Sequence, residues 1–162
     1  MKRLYIAYGS NLHLEQMEYR CPTAKVFAKG VVKDYTLVFR GSKTGAYATI
    51  IPKKGDFVPV VIWDIKPQDE RNLDIYEGFP RFYYKKDLMV ELENGEKIKA
   101  MAYIMFDEAK PGIPTMRYLE TCSQGYLSNN LDMKKFEEFI VNNRTECAHM
   151  DSKMARIRAF AR

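Results

Sequence analysis

Two short segments carry residue types that could do chemistry. One is Leu73-Asp74-Ile75-Tyr76-Glu77-Gly78-Phe79-Pro80; the other is Gly9-Ser10-Asn11. In a helix, Leu73, Tyr76 and Glu77 stand at i, i+3 and i+4 and share a face. If Leu73 faces the core, Glu77 is carried inward with it. Asp74 then projects elsewhere and can neighbour Glu70 or Arg71 at the surface. A partly desolvated carboxylate at the negative end of a helix has its pKa raised on both counts. That turns a Glu into a usable general base near neutral pH. The other reading of the same segment is a surface Glu in a frayed last turn.

The second segment closes an apolar run, Leu4-Tyr5-Ile6-Ala7-Tyr8, and a helical pattern follows it at once. Orphan amides of a tight turn and of a helix N-terminus converge at such a junction and attract anions. The expected ligand is therefore a small carboxylate or phosphate. Gly9 lets a ligand approach the backbone closely, Ser10 offers a hydroxyl, and Asn11 can cap a helix or take a left-handed conformation. Glu15 lies four residues after Asn11, so no capping box forms there. A plain strand–turn–helix connection would use the same residues.

Other chemistries lack their parts. No G-x-G-x-x-G, phosphate-binding G-x-x-x-x-G-K-[ST] or G-x-S-x-G run occurs, and Arg40-Gly41-Ser42-Lys43-Thr44-Gly45 has its Lys in the wrong place. With only His13 and His149, a histidine-based metal site lacks ligands, and no metal is expected. Cys21, Cys122 and Cys147 form no C-x-x-C pair and read as reduced thiols. The net charge of +5 is a mild bias, part of it at Lys153, Arg156, Arg158 and Arg162. That basic tail reads as a solvated helix face rather than a nucleic-acid surface. No apolar run approaches a membrane span and no signal-peptide core follows Lys2 and Arg3, so a cytoplasmic location is expected.

The elements that must position these residues are mostly strands. Residues 4–8, 25–32, 35–40, 46–51, 58–64, 83–92 and 98–106 are rich in β-branched or aromatic side chains and bounded by Gly, Pro or Asp. Helices are predicted over 13–20 and over 67–77, the second opened by Pro67 and stopped by Gly78 and Pro80. Beyond Pro114, helices are predicted over 123–131, over 133–142 and through Phe160. Strands followed by terminal helices make an α+β fold: a strongly curved sheet or small mixed β-barrel flanked by helices, with extra C-terminal helices. At 162 residues the chain reads as a single domain.

Tyr8-Gly9-Ser10-Asn11-Leu12 after a first apolar strand, with Leu73-Asp74-Ile75-Tyr76-Glu77-Gly78-Phe79 following, resembles the γ-glutamylcyclotransferase (AIG2-like) family. The resemblance covers a core over residues 1–126 and leaves 127–162 as a helical C-terminal extension. It implies a small mixed β-barrel. It also implies a reaction in which a γ-glutamyl amide or peptide cyclises to 5-oxoproline and releases an amine or amino acid. Glu77 would be the catalytic acid/base. Tyr8, Gly9, Ser10 and Asn11 would bind substrate, with Tyr84, Tyr103 and Tyr126 lining the pocket. Tyr126 lies in Cys122-Ser123-Gln124-Gly125-Tyr126, which lacks the Pro of the family's Pro-Ser pair. The reaction requires no cofactor, and its partner is a small γ-glutamyl substrate. Alternatives are a γ-glutamylamine cyclotransferase, an enzyme removing a biosynthetic γ-glutamyl group, or a non-catalytic small-molecule binding protein on the same fold.

Overall fold

A strand that is apolar at nearly every position is buried on both faces and runs inside a sheet, with a neighbour on each edge. The strand β1 (Arg3–Ala7) has both. In the computed structural model, which describes residues 2–161, β1 runs antiparallel to β3 (Tyr47–Ile65), with Arg3 opposite Ile65 and Ala7 opposite Val61. Its other edge lies parallel to β5 (Lys97–Met105), with Tyr5 beside Met101. The strands β2 (Lys25–Arg40) and β4 (Tyr83–Leu92) complete a closed barrel in the order β1-β3-β2-β4-β5. Closure gives every strand a neighbour on both sides for part of its length.

Four predicted strands are in fact two. Residues 25–32 and 35–40 form the single β2, and 46–51 and 58–64 form the single β3. The polar stretches between them look like turns but are bulges within one long hairpin. The ladder passes from Lys33↔Phe57 to Tyr35↔Pro52, and Asp34 Oδ1 accepts the Gly55 N–H at 2.9 Å across the gap.

The helices are α1 (Leu14–Arg20), α2 (Pro67–Glu77), α3 (Met116–Ser128) and α4 (Met133–Ala161). The third begins seven residues earlier than the pattern suggests. Thr115 caps it, its hydroxyl accepting the Tyr118 N–H at 3.1 Å. The last two predicted helices are one, because no Gly or Pro interrupts the chain from Met133 to Ala161. Phe136, Phe139 and Asn143 bury its first half against the barrel, and residues 148–161 are exposed. Lys135 fastens this helix by an ion pair to Asp56 in the β3 bulge. Among the described residues no helix is long and apolar enough to cross a membrane.

The helix α3 bears on the chain just after β1. Asn129 Nδ2 donates to the Leu12 carbonyl at 2.8 Å, and Leu12 is fully buried. The two backbones approach so closely that a Cβ on Gly125 would lie 2.5 Å from Leu12 Cβ and 2.9 Å from the His13 nitrogen. Ala is favoured over Gly in a helix by about 1 kcal/mol, yet here it meets backbone that has nowhere to move. Gly125→Ala is expected to lose about 1–3 kcal/mol in urea unfolding. An unchanged or raised midpoint would contradict this packing.

Candidate active site

The site is built from the end of α2 and the end of β1. Asp69 holds the start of α2: its buried carboxylate accepts the Lys66 N–H at 3.0 Å and the Thr23 hydroxyl at 2.6 Å. Gly78 ends the helix in the left-handed region, at φ 65°, where Gly carries no Cβ penalty. Two acidic residues on a neighbouring face tie α2 to the barrel wall. Glu70 accepts from Arg3 at 2.7 Å and from Lys85 at 2.6 Å. The hydrogen bond from Arg3, aided by Lys85, holds its carboxyl down to about 2. Asp74 accepts from the Tyr103 hydroxyl at 2.5 Å and pairs with Lys85 at 2.9 Å. So Asp74 neighbours Glu70 through the Lys85 they share, and also holds Tyr103. With Leu73 fully buried beneath the helix, Glu77 is left facing a cavity.

At the end of β1 the chain makes a short 3-10 turn over Ser10–Leu12, closed by Leu12 N–H to Gly9 O and His13 N–H to Ser10 O, both 3.1 Å. The turn's own bonds do not use the N–H groups of Gly9, Ser10 or Asn11. Asn11 does not cap α1; His13 does, its Nδ1 accepting the Gln16 N–H at 3.2 Å. The Asn11 side chain is thereby released into the cavity. Its amide can sit only one way round. Arg20, which can only donate, bonds Asn11 Oδ1, so Nδ2 points to the Tyr5 hydroxyl at 2.8 Å and to Glu77 Oε1 at 3.3 Å. Arg20 itself lies 3.3 Å over the Tyr76 ring. Ser10 Oγ shares a 3.2 Å hydrogen bond with the Tyr76 hydroxyl.

The cavity, about 360 Å³, brings together Tyr8, Gly9, Ser10, Asn11, Glu77 and Tyr103. Two tyrosines of the sequence reading stand elsewhere. Tyr84 stacks on Phe106 at 4.9 Å, because neighbouring strand residues face opposite sides; its neighbour Tyr83 faces the cavity instead. Tyr126 is sealed against Phe136 at 4.7 Å, and the cavity tyrosine of α3 is Tyr118, two turns earlier. Sequence reasoning also missed Tyr5, Tyr47, Phe82 and Arg20. Only Tyr5 had a visible signal, its place in the apolar run beside Tyr8.

Burial raises the Glu77 carboxyl from its ordinary 4.5 to about 7, and the charge of Arg20 pulls the other way. Burial, together with the nearby Glu77 charge, also lifts the hydroxyls of Tyr5, Tyr8, Tyr83 and Tyr118. They remain neutral around a carboxyl that titrates in their midst. Among the described residues, no cluster of three or more His, Cys, Asp or Glu could hold a metal ion.

The fold is thus a closed five-stranded barrel in which a desolvated carboxyl faces a strand-end turn across a small cavity. Comparison with known proteins makes the class specific. The family model described as gamma-glutamyl cyclotransferase, AIG2-like, matches residues 5–120, and the chain belongs to that family. It is 32% identical over 144 residues to the gamma-glutamylcyclotransferase of Homo sapiens, covering 83% of this chain and 76% of the relative. The Bos taurus gamma-glutamylcyclotransferase is 31% identical over 140 residues, covering 81% and 73%. A solved structure of a gamma-glutamyl cyclotransferase superposes with a TM-score of 0.77 at 29% identity, covering 86% of each chain.

The titration of Glu77 has a sign that stability can test. The unfolded carboxyl ionises near 4.5 and the folded one near 7, so the folded state holds the proton more tightly. The destabilisation from ionising Glu77 in place is absent below 4.5, grows through that interval and is complete above about 7. Glu77→Gln is expected to stabilise the fold by up to about 3 kcal/mol at pH 8 and by almost nothing at pH 4, in urea unfolding. An equal effect at both would contradict the buried titration. Arg20→Met removes the charge that lowers this carboxyl. The Glu77 midpoint, followed by carboxyl NMR, should then rise above 7; a fall would refute the assignment.

Proposed function

We propose that the protein cyclises a γ-glutamyl amide or peptide to 5-oxoproline and releases the amine, with Glu77 moving the proton. One observation carries the reading: the desolvated carboxyl of Glu77 lines the same small cavity as the Gly9-Ser10-Asn11 turn, 3.3 Å from the Asn11 amide. The substrate's γ-glutamyl end bears an α-ammonium, an α-carboxylate and a γ-carbonyl. Amides of the turn suit an anion, either the α-carboxylate or the oxyanion that develops on the γ-carbonyl. The helix α1 starts only at Leu14, so the turn's own N–H groups, rather than a helix dipole, do this work.

The Glu77 carboxylate takes a proton from the α-ammonium, and the freed amine attacks the γ-carbonyl carbon. A new C–N bond closes the five-membered lactam. The old bond to the leaving nitrogen breaks as Glu77 returns the proton to it, and the second proton that the attacking nitrogen sheds on becoming a lactam follows, so the amine leaves as an ammonium. No water enters, and substrate and products balance atom for atom. The remaining task is to hold the folded conformer in which amine and carbonyl meet, a proximity effect that a close-fitting cavity supplies. The three free cysteines suit a reducing, cytoplasmic setting.

The test is 5-oxoproline release from a panel of γ-glutamyl amides. Glu77→Gln should lower kcat by at least about a hundredfold. Unchanged activity in that variant sinks the mechanism, and a wild-type protein inert on the whole panel favours a non-catalytic binder. For the active protein, kcat/KM should rise with pH and level off above about 7, as the base becomes ionised. A profile that falls through this range would point to an obligatory acid instead.

A further inference from the structure

The cavity is zoned. Its floor is polar and buried: Ser10, Asn11, Tyr5 and Tyr8 around Glu77. Its mouth is a wall of rings. Tyr83 lies edge-on to Phe82 at 5.1 Å, Phe82 to Tyr47 at 6.1 Å, and Tyr47 to Tyr118 at 5.2 Å. The outer members of this wall are bare, Phe82 at 39% and Tyr47 at 45% exposure, and Ile75 across the opening reaches 82%. Large apolar groups left in water around a cavity point to a contact they make with something else.

Three of the cavity's tyrosine hydroxyls are already committed. Tyr83, Tyr8 and Tyr103 have only one hydroxyl proton each, and these go to the Ala48 carbonyl, the Tyr103 carbonyl and Asp74. Among the described residues the only charged side chain lining the cavity is Glu77, and it is acidic. The nearby Arg20 is stacked on Tyr76 and bonded to Asn11.

We propose that the amine released is one carrying an aromatic or large apolar group, seated between Phe82, Tyr47 and Ile75. This rests on the γ-glutamyl reading of the same site for the orientation of the substrate. The floor takes the γ-glutamyl unit because the proton-moving carboxyl is there. The leaving group then extends to the rings.

Binding and turnover separate the two claims. Calorimetry on the Glu77→Gln protein should show γ-glutamyl-phenethylamide binding at least about tenfold tighter than γ-glutamyl-ethylamide and γ-glutamylglycine. Phe82→Ala or Tyr47→Ala, added to Glu77→Gln, should collapse that ratio to below about threefold. Equal affinities, tighter binding of γ-glutamylglycine, or no binding of the phenethylamide overturns the proposal. Release of 5-oxoproline by the unmutated protein is read in parallel. If none appears while the affinity ratio holds, the aromatic subsite stands and the cyclisation reading falls. If all three substrates turn over with equal affinity, the reverse is true.

Discussion

The grip on both edges of β1 is the constraint from which the site follows. Antiparallel pairing with β3 and parallel pairing with β5 close the barrel and fix where β1 ends. The chain must leave at that point, and it does so through the 3-10 turn that α3 presses down at Gly125. The position of Ser10 and Asn11 is thus set by barrel closure and a helix, not by the loop's own preferences. Loops positioned by a rigid scaffold are the usual place for binding groups. Here the scaffold reaches to within a few residues of the chemistry.

The second element, α2, is held by charge where the first is held by packing. Arg3, Lys85, Glu70 and Asp74 link β1, β4 and α2 along one side. These pairs are partly exposed, so each contributes little by itself, but together they set the rotation of the helix. With Leu73 beneath it, that rotation delivers Glu77 to the cavity. The surrounding tyrosines then provide a medium that is polar enough to hydrogen-bond yet resists ionisation, because burial raises all of them. A single group titrates near neutrality in consequence.

Much of this was legible in the sequence for definite reasons. Helical spacing put Glu77 on the face of Leu73, and the abrupt stop of an apolar run at Gly9 marked the turn. The α+β class and the curved sheet followed from the order of strands and helices. What was not legible required knowing which distant segments meet. Tyr47 comes from the start of β3, Phe82 from just before β4 and Tyr118 from α3, and no local pattern links them. Tyr84 was misplaced because motif spacing fixes a position along a strand but not its face. Arg20 reads as an ordinary basic residue at a helix C-terminus, favourable to the dipole; its role depends on Asn11 having been freed by His13. The long β2–β3 hairpin was divided in two because bulges and turns draw on the same polar residues.

The cavity's solitary negative charge has a consequence for what happens after bond formation. In the proposed reaction the substrate arrives with a positive nitrogen, which the anionic Glu77 attracts. Once the ring closes, that nitrogen is a neutral lactam and the two protons it shed have departed with the amine. The acid left behind carries only its carboxylate, facing a Glu77 that is again ionised in surroundings poor in water, where like charges repel strongly. In that reaction the side chain that draws the substrate in also disfavours the cyclic product.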